Sequence, residues 1–452
     1  MDVFEKCLAL AFSLMILGQA YLVRRAVGTW LFPACLFGLF WFGYTFVPLA
    51  VLFSVPAEPY AIAFIFLCTA AFSIGSLPFD WKTAFESNAR KLETAARVYG
   101  STFLKVVFCL STLASLVFLA LNLFDQGISL HDLVSDLYAS AAAYASLLYS
   151  DSLHANNFDR LSLLCAHLGA ILGGLLFPCM QTRTGRGLIV VVSFLPSILV
   201  AVTESGKGLL FLCIALFYAG LLVSRASAGS LRLFEKSSVK SLTFYVAILI
   251  PIVTVSFLAR GLYAIDDRAV LTNRLAAYYA SYSFGHIYAF SDWFGFIIGR
   301  HSALGYPDDG AAYGFYTFMA LFKLLGSAKE VPQGVFAEYY AHGDLVTTNI
   351  FTMFRGLILD FGFSGTLLFM IATGFLFHLT FHTMLRNRRP VFTVAVFVFM
   401  MAYFYNSFII SVLGWNRMYV AFVLLWIVLQ LNKLIAPTGG RGLAPAQQPL
   451  GG

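Results

Sequence analysis

Long runs of apolar residues, each ended by a short polar or basic segment, make up most of the 452-residue chain. A run of about 20 apolar residues can cross a hydrocarbon core about 30 Å thick as a helix, because in lipid only helices and closed barrels satisfy every backbone hydrogen bond. The pattern predicts about eleven membrane spans, within a range of roughly ten to thirteen. They run approximately over residues 4–23, 29–53, 58–78, 101–124, 160–178, 187–203, 209–224, 241–259, 361–384, 391–413 and 418–432.

The composition fits a membrane protein rather than a soluble one. Hydrophobic residues make up 60% of the chain and charged residues only 11%, whereas ordinary soluble domains carry about 25% charged residues. We therefore expect an all-α polytopic membrane protein in which residues 1–435 form a single integral membrane domain. Residues 436–452 are rich in Pro, Gly and Gln and are expected to form a disordered cytoplasmic tail.

Most lysine and arginine residues lie in short clusters that follow every second predicted span. By the positive-inside rule these clusters mark the cytoplasmic face, so the N-terminus is expected outside and the C-terminus inside. The net charge of +7 does not indicate a nucleic-acid partner, because the basic residues form no single basic face. Two long external loops remain, over about 125–159 and 260–360. The basic clusters comprise Arg24, Arg25, Lys82, Arg90, Lys91, Arg97, Arg183, Arg186, Arg225, Arg232, Lys236, Lys240, Arg386, Arg388, Arg389 and Lys433.

The second external loop contains two aromatic-rich apolar stretches, over 274–299 and 311–326. Two further crossings here would leave the orientation of the chain unchanged. Their His286, Asp292 and Lys323 favour amphipathic or re-entrant helices instead, because ionisable groups are costly in lipid and tyrosine and tryptophan prefer the headgroup level.

Ionisable residues beside the outer ends of spans are candidates for chemistry. Glu204, Ser205 and Lys207 form a short hairpin with two glycines, TESGKGLL, which permits unusual backbone angles and close approach of a ligand. The spacing is not that of a phosphate-binding P-loop. A polar turn that reaches toward the lipid headgroups explains the same residues equally well.

A second candidate group follows the predicted span at 241–259. Arg260 and Arg274 carry planar guanidinium groups, which suit recognition of a diphosphate. Helical spacing places Arg274, Tyr278 and Tyr282 on one face, where the two rings could form the floor of a sugar site or belong to a membrane belt. The neighbouring acidic residues are expected to pair with Arg268.

The third candidate group lies where the second external loop returns to the membrane. Glu338 and His342 are possible general bases on the outer face. If residues 348–360 are helical, Asn349 and Asp360 share one face and Arg355 points elsewhere. We expect Arg355 to face an anionic ligand while Asn349 and Asp360 bind glycan or hold the helix and loop in position.

The segment GFYTFMALFKLLG, followed by TTNIFTMFRGLILDFGFSGTLLF at the entrance to a span, resembles the bacterial oligosaccharide repeat-unit polymerases, the Wzy-type O-antigen polymerases. These multispan glycosyltransferases are related to the O-antigen ligases and to other enzymes of GT-C-like fold. The span arrangement extends the resemblance over most of the chain. The positions that carry it are Asn349, Thr352, Asp360, Gly362 and Gly365, together with the SGKG hairpin and the arginine at position 260.

The resemblance implies transfer of a growing glycan from undecaprenyl diphosphate to an incoming lipid-linked repeat unit, on the periplasmic side of the bacterial inner membrane. Both substrates are undecaprenyl-diphosphate-linked glycans, and a chain-length regulator is an optional further partner. Neither a nucleotide sugar, a metal nor another cofactor is implied. The implied diphosphate ligands are Lys207, Arg260 and Arg274, with Lys207 where related ligases carry an arginine. The implied catalytic residues are Arg355 and a base, for which Glu338 and His342 are equal candidates.

Three other functions remain open at the level of sequence. An O-antigen ligase shares the architecture and the donor, and differs in the acceptor. A flippase or transporter for a lipid-linked glycan would carry cations along a path through the membrane, whereas the polar candidates here gather at one face. A purely structural membrane subunit is the third alternative.

Overall fold

Long α-helices build most of the chain. The computed structural model describes residues 3–91, 98–150, 152–154, 156–204, 206–234, 249–259, 262–300, 302–308, 310–332 and 334–435. The expected tail, 436–452, and the candidate Arg260 lie outside the described residues. The helices are α1 (Val3–Val27), α2 (Pro33–Val51), α3 (Pro59–Ile74), α4 (Trp81–Ala89), α5 (Thr102–Asp125), α6 (Leu130–Ser135), α7 (Leu137–Tyr149), α8 (Phe158–Leu176), α9 (Arg183–Thr203), α10 (Lys207–Ser227), α11 (Leu249–Leu258), α12 (Arg268–Ile297), α13 (Met319–Leu324), α14 (Thr352–Arg386), α15 (Val391–Asn406) and α16 (Asn416–Ile435).

Eight of these helices are long and apolar enough to cross a membrane, and each coincides with one of the predicted spans. They are α1, α2, α5, α8, α9, α10, α14 and α16. Two more predicted spans correspond to the shorter apolar helices α3 and α15, each of 16 residues. The last, at 241–259, is described only from residue 249. The chain is therefore an all-α membrane protein, and the full count of spans stays a prediction.

The basic segments of the chain meet at one end of the bundle, which we call the basic end. Thr29, after α1, donates to the carbonyl of Leu231 after α10 at 2.7 Å. Lys91, after α4, donates to the carbonyl of Met384 near the end of α14 at 3.0 Å. These contacts agree with the alternation expected from the charge pattern, in which successive basic clusters share one face.

The opposite end, which we call the outer end, is closed by buried polar contacts. Lys6, fully buried in α1, donates to the carbonyls of Leu52 at 3.1 Å and Val55 at 2.7 Å. Its Nζ also lies 3.1 Å from the hydroxyl of Tyr288 in α12. An ammonium is tolerated at this depth because several oxygens replace the water that it has lost.

Two pairs of helices cross so closely that their backbones touch. A Cβ added to Gly174 of α8 would lie 2.0 Å from the carbonyl oxygen of Phe217 in α10. A Cβ added to Gly374 of α14 would lie 2.1 Å from the carbonyl oxygen of Phe72 in α3. In lipid, where apolar surface alone does not drive association, small residues allow the close van der Waals packing that holds helices together.

Helix α14 is interrupted. Gly362 has φ 67° and ψ −178°, which is not helical and separates a short outer segment from a longer membrane-spanning one. This region of backbone space is accessible essentially only to glycine. The outer segment, from Thr352 to Phe361, is buried almost throughout and carries Arg355 and Asp360.

The external segments form a layer over the outer end. Helix α12 has 30 residues, about 45 Å at 1.5 Å per residue, and the second half of α12 is buried against α2 and α3. The second aromatic-rich stretch, 311–326, consists of turns and the six-residue helix α13. That helix is too short to cross a bilayer. A two-stranded antiparallel hairpin, β1 (Tyr340–His342) and β2 (Val346–Thr348), packs on α12.

Candidate functional site

The centre of the candidate site is Arg355, whose side chain is fully buried in the first segment of α14. Its Nη2 lies 2.8 Å from Oδ2 of Asp308 and 3.3 Å from Oε2 of Glu338. Asp308 also accepts a hydrogen bond from Nε1 of Trp293 in α12. One guanidinium nitrogen thus joins two carboxylates that come from different parts of the external loop.

Aromatic rings enclose the same guanidinium. The centroid of Phe336 lies 3.9 Å and that of Phe351 4.3 Å from the guanidinium carbon of Arg355. The rings of Tyr306 and Trp293 follow at 5.2 and 5.6 Å. Because the faces of these rings are electron-rich and water is excluded, they stabilise the cation where it is buried. Only Nη2 of Arg355 contacts the two carboxylates. Its Nε and Nη1 have no hydrogen-bond partner among the described residues.

Tyr306 is fixed as a hydrogen-bond donor beside Arg355. Its hydroxyl donates to Oδ2 of Asp292 at 2.7 Å. Burial raises the pKa of Tyr306, and the hydrogen bond to Asp292 raises it further, while the charge of Arg355 acts in the opposite direction. The phenol therefore keeps its proton across the physiological range.

The two carboxylates around Arg355 differ in their access to solvent. The side chain of Glu338 is 19% exposed, whereas that of Asp308 is 8% exposed. The carboxylate of Glu338 is therefore held by the buried Arg355 and is accessible to solvent. His342 is partly buried in β1, four residues further along the chain.

The helix that was expected over 348–360 begins later, at Thr352. Asn349 precedes it and therefore does not share a helical face with Asp360, so that part of the prediction is wrong. Thr352 itself has φ 64°, an uncommon backbone conformation for a β-branched residue. The amide of Met353 donates to the carbonyl of Ser407 at 2.9 Å, which fixes the start of the helix. Asn349 instead reaches back, with its Nδ2 3.5 Å from the carbonyl oxygen of Phe336.

Asp360 is buried and holds the external loop against α14. Its Oδ1 accepts from the amide of Tyr316 at 3.1 Å, and its Oδ2 accepts from the amide and the hydroxyl of Thr317, each at 2.6 Å. A carboxylate with three donors is satisfied without a cationic partner. The contacts of Asp360 are therefore with the loop and not with Arg355.

Lys207 and two of the candidate aromatic residues lie together. Lys207 begins α10 and is buried, with its Nζ 4.0 Å from the centroid of Phe257 and 5.4 Å from that of Tyr282. Tyr278 packs on Phe257 and Tyr282, with ring centroids 5.4 and 6.5 Å apart. The cation and the amide groups at the N-terminus of α10 both favour an anion at this position.

Arg274 lies exposed on α12, one turn before Tyr278. It belongs to the same side of the helix as the two tyrosines, as its spacing predicts. The expected pairing of the acidic residues with Arg268 is replaced in part by a helix cap. Oδ1 of Asp267 accepts from the amides of Ala269 and Val270 at the start of α12.

Helix α12 and the hairpin connect the Lys207 group to the Arg355 group. Ser281, next to Tyr282, accepts a hydrogen bond from the amide of Thr347 in β2 at 2.9 Å. Glu338 lies just before β1, which pairs with β2. Tyr282 and Trp293, one in each group, are 11 residues apart on α12, which corresponds to about 16 Å along the helix.

Sequence reasoning missed Asp308 and Trp293, which contact Arg355 or its partner. Asp308 is 47 positions before Arg355 and lies in an irregular segment without a periodic pattern. Trp293 looks like any other aromatic residue of its stretch. An unusual concentration of acidic and aromatic residues in one external loop was the only available signal.

A second polar group surrounds Glu204, a residue that the hairpin pattern singled out, and its partners Asn122 and Asn156 were not predicted. The buried carboxylate accepts a hydrogen bond from Nδ2 of Asn122 at 2.7 Å, and Asn122 in turn accepts one from Asn156 at 2.9 Å. Burial raises the pKa of Glu204 to about 8, the negative charge of Asp159 raises it further, and Asn122 and Arg417 act in the opposite direction. Glu204 is therefore a carboxyl that loses its proton only in mildly alkaline conditions.

The described part of the chain contains no group of three or more His, Cys, Asp or Glu residues that could hold a metal ion. The arrangement instead places the partly exposed carboxylate of Glu338 beside the buried cation of Arg355. Aromatic rings exclude water around the cation. Such a site can accept a proton at Glu338, whose carboxylate Arg355 holds in position.

Comparisons with protein-family models, with curated proteins and with solved structures found no match to this chain.

Proposed function

We propose that this chain is a membrane glycosyltransferase that polymerises oligosaccharide repeat units carried on undecaprenyl diphosphate, at the periplasmic face of the bacterial inner membrane. A single observation carries the proposal. A buried arginine orients a partly exposed glutamate within an aromatic enclosure at the outer end of the bundle.

The reaction needs a base for the acceptor hydroxyl, and Glu338 supplies it. Its carboxylate takes the proton as the acceptor oxygen attacks the anomeric carbon of the donor glycan. The bond between that carbon and the diphosphate oxygen breaks, and undecaprenyl diphosphate leaves with the electron pair. Arg355 keeps Glu338 in place, and its positive charge stabilises negative charge that develops nearby during the reaction.

The departing diphosphate requires cations in the absence of water. Lys207 is partly shielded by Phe257 and Tyr282 at the start of α10, and Arg274 is exposed one turn from Tyr278. We assign the diphosphate to these two residues and to Arg260. Tyr278 and Tyr282 then offer ring faces to the first sugars of the glycan, while His342 remains the alternative base.

The proposal is tested by incubating the purified protein with a lipid-linked repeat unit and separating the products by size. Dimers and higher oligomers of the unit are expected, and release of undecaprenyl diphosphate should match each bond formed. Glu338→Gln should lower the rate by at least about a hundredfold, as expected for loss of a general base. The matched control is Glu330→Gln, which removes an exposed carboxylate from the same external loop.

A ladder of normal length and rate from Glu338→Gln would reject Glu338 as the base, and His342→Asn would then be compared in the same assay. The other functions give different products. A ligase transfers the glycan only when a core acceptor is added, and a flippase moves the lipid-linked unit across a bilayer without forming a bond. Neither outcome is compatible with a repeat-unit polymerase.

A further inference from the structure

A recess at the basic end of the bundle is separate from the candidate site. It lies between the loop that joins α14 to α15, the last turn of α16 and the residues just before α5. Arg389 and Lys433 line it from opposite elements, and none of the described residues that line it is acidic.

The polar wall of the recess is buried and hydrogen-bonded. Tyr99 and Asn432 are each only 4% exposed. The Tyr99 hydroxyl lies 3.2 Å from Oγ of Ser227, and Nδ2 of Asn432 donates to the carbonyl of Val98 at 3.1 Å. These hydrogen bonds join the segment before α5 to α10 and α16, so the position of the recess does not depend on the basic loop alone.

Arg389 is close to this wall. Burial raises the pKa of Tyr99 to about 12, and the positive charge of Arg389 is among the effects that oppose the rise. Arg389 is itself partly buried, whereas Arg386 and Arg388 of the same loop are exposed. The loop therefore contributes one cation to the recess and directs two others to solvent.

An apolar surface continues from the recess along α15 and α16. Phe392 and Trp426 are 54% and 41% exposed, and their rings meet at 6.1 Å and 86°. Trp426, Leu429 and Lys433 are three and four residues apart, so they lie on one side of α16. Cations at the helix end, followed by apolar surface one or two turns deeper, match the order of phosphate and acyl chain in a phospholipid.

We propose that this recess binds the phosphate headgroup of an acidic phospholipid, with Arg389 and Lys433 as the charged contacts. The adjacent exposed aromatic pair holds the upper part of the acyl chains. A freely diffusing phosphate would use the two cations and leave the aromatic pair uncovered, and this difference separates the two sources of the anion.

The test uses the full chain purified in a neutral detergent and supplied with a mixture of phosphatidylglycerol and phosphatidylcholine. Native mass spectrometry measures how many molecules of each lipid remain bound. The wild-type chain should retain phosphatidylglycerol preferentially. Arg389→Gln combined with Lys433→Gln should lower that retention about tenfold or more, on the order expected for two cations at a membrane surface.

The matched control is Arg386→Gln combined with Arg388→Gln, which removes two charges from the same loop outside the recess. It should leave lipid retention unchanged within about twofold. A charge-keeping variant, Arg389→Lys with Lys433→Arg, should retain the lipid and excludes misfolding as the cause of a loss. An equal loss in the recess variant and the control would overturn the proposal, because general surface charge would then explain the binding. Displacement of the lipid by millimolar inorganic phosphate would overturn the assignment to a phospholipid.

Discussion

A charged side chain inside an apolar segment is stable only when its partners are buried with it, and Arg355 illustrates how those partners are supplied. Two carboxylates and four rings arrive from the external loop, so the cation is enclosed only after the loop has packed. Removing the arginine alone would leave Asp308 and Glu338 together in a poorly hydrated site.

We predict that Arg355→Met lowers the free energy of unfolding by about 3–5 kcal/mol, the loss expected when one member of a buried ion pair is removed. The triple variant Arg355→Met, Asp308→Asn and Glu338→Gln should recover most of this loss, because no buried charge is then unpaired. Thermal unfolding in detergent measures both. A triple variant as unstable as the single one would show that packing around the side chain, and not charge, sets the effect.

Glu204 makes the free energy of unfolding depend on pH. Its pKa is about 8 in the folded chain and near 4.5 when unfolded, so the folded state binds the proton more tightly. The stabilising contribution of Glu204 is therefore fully present below about pH 4.5. It is lost as the pH rises toward 8, at up to about 1.4 kcal/mol per pH unit.

Glu204→Gln should remove this slope, because the amide keeps the hydrogen bond to Asn122 without a titrating proton. Melting temperatures at pH 6 and pH 9 should converge in Glu204→Gln and differ in the wild-type chain. Glu330→Gln, on the exposed external loop, should behave as the wild type. If the wild-type chain melts at the same temperature at both pH values, Glu204 is not buried as described.

At this scale the sequence allowed the conspicuous residues to be found and left their contacts unknown. Arg355, Lys207 and Asp360 stand out because charge is rare in apolar segments. That Asp360 holds Thr317 while Arg355 holds Asp308 depends on how an irregular loop folds back. No hydrophobic period marks such a loop, so neither pair could be predicted.

At the scale of elements, apolar patterning located the helices well and their breaks poorly. The sequence predicts a helix over 348–360 followed by a span over 361–384, and the break between them is set by Gly362, whose backbone angles no side-chain period can reveal. The onset at Thr352 was misplaced for the same reason. The stretch 311–326 has the composition of a helix. Most of it forms turns instead, because the amides of Tyr316 and Thr317 donate to Asp360 of α14.

The interruption at Gly362 has a direct test. Gly362→Ala should lower the free energy of unfolding by about 1–3 kcal/mol, because its φ of 67° with an extended ψ excludes a Cβ. The transfer activity that we propose should fall with it, since the turn sets the direction of Arg355 relative to the membrane span.

Gly43→Ala is the matched control, since a Cβ at that helical glycine meets nothing within 4 Å. It should be neutral or slightly stabilising, as alanine favours the helix. Equal behaviour of the two variants, measured by thermal unfolding, would show that α14 can run straight through position 362.

At the scale of the whole molecule, the alternation of basic clusters predicted which loops meet, and contacts such as Lys91 with Met384 join them at one end. Fold class could be predicted because hydropathy and charge act on every span. The number of spans was less certain, since α3 and α15 have only 16 residues each and depend on their neighbours for their depth.

Orientation is tested by single cysteines placed at either end. Ala328→Cys lies on an exposed external loop, and Asn387→Cys lies exposed at the basic end. The background replaces Cys7 and Cys109, the exposed members of the seven free cysteines. A membrane-impermeant thiol reagent added to intact spheroplasts should label position 328 at least about tenfold faster than 387, in keeping with a cytoplasmic basic end. The reverse order would place the candidate site in the cytoplasm.

The buried Lys6 has a consequence for the order in which the protein is assembled. Two of its acceptors, at Leu52 and Val55, are available once the first helical hairpin has been synthesised. The third, Tyr288, lies 282 positions further along the chain. The ammonium of Lys6 therefore gains its third contact only after α1 to α11 and the first part of α12 have been synthesised.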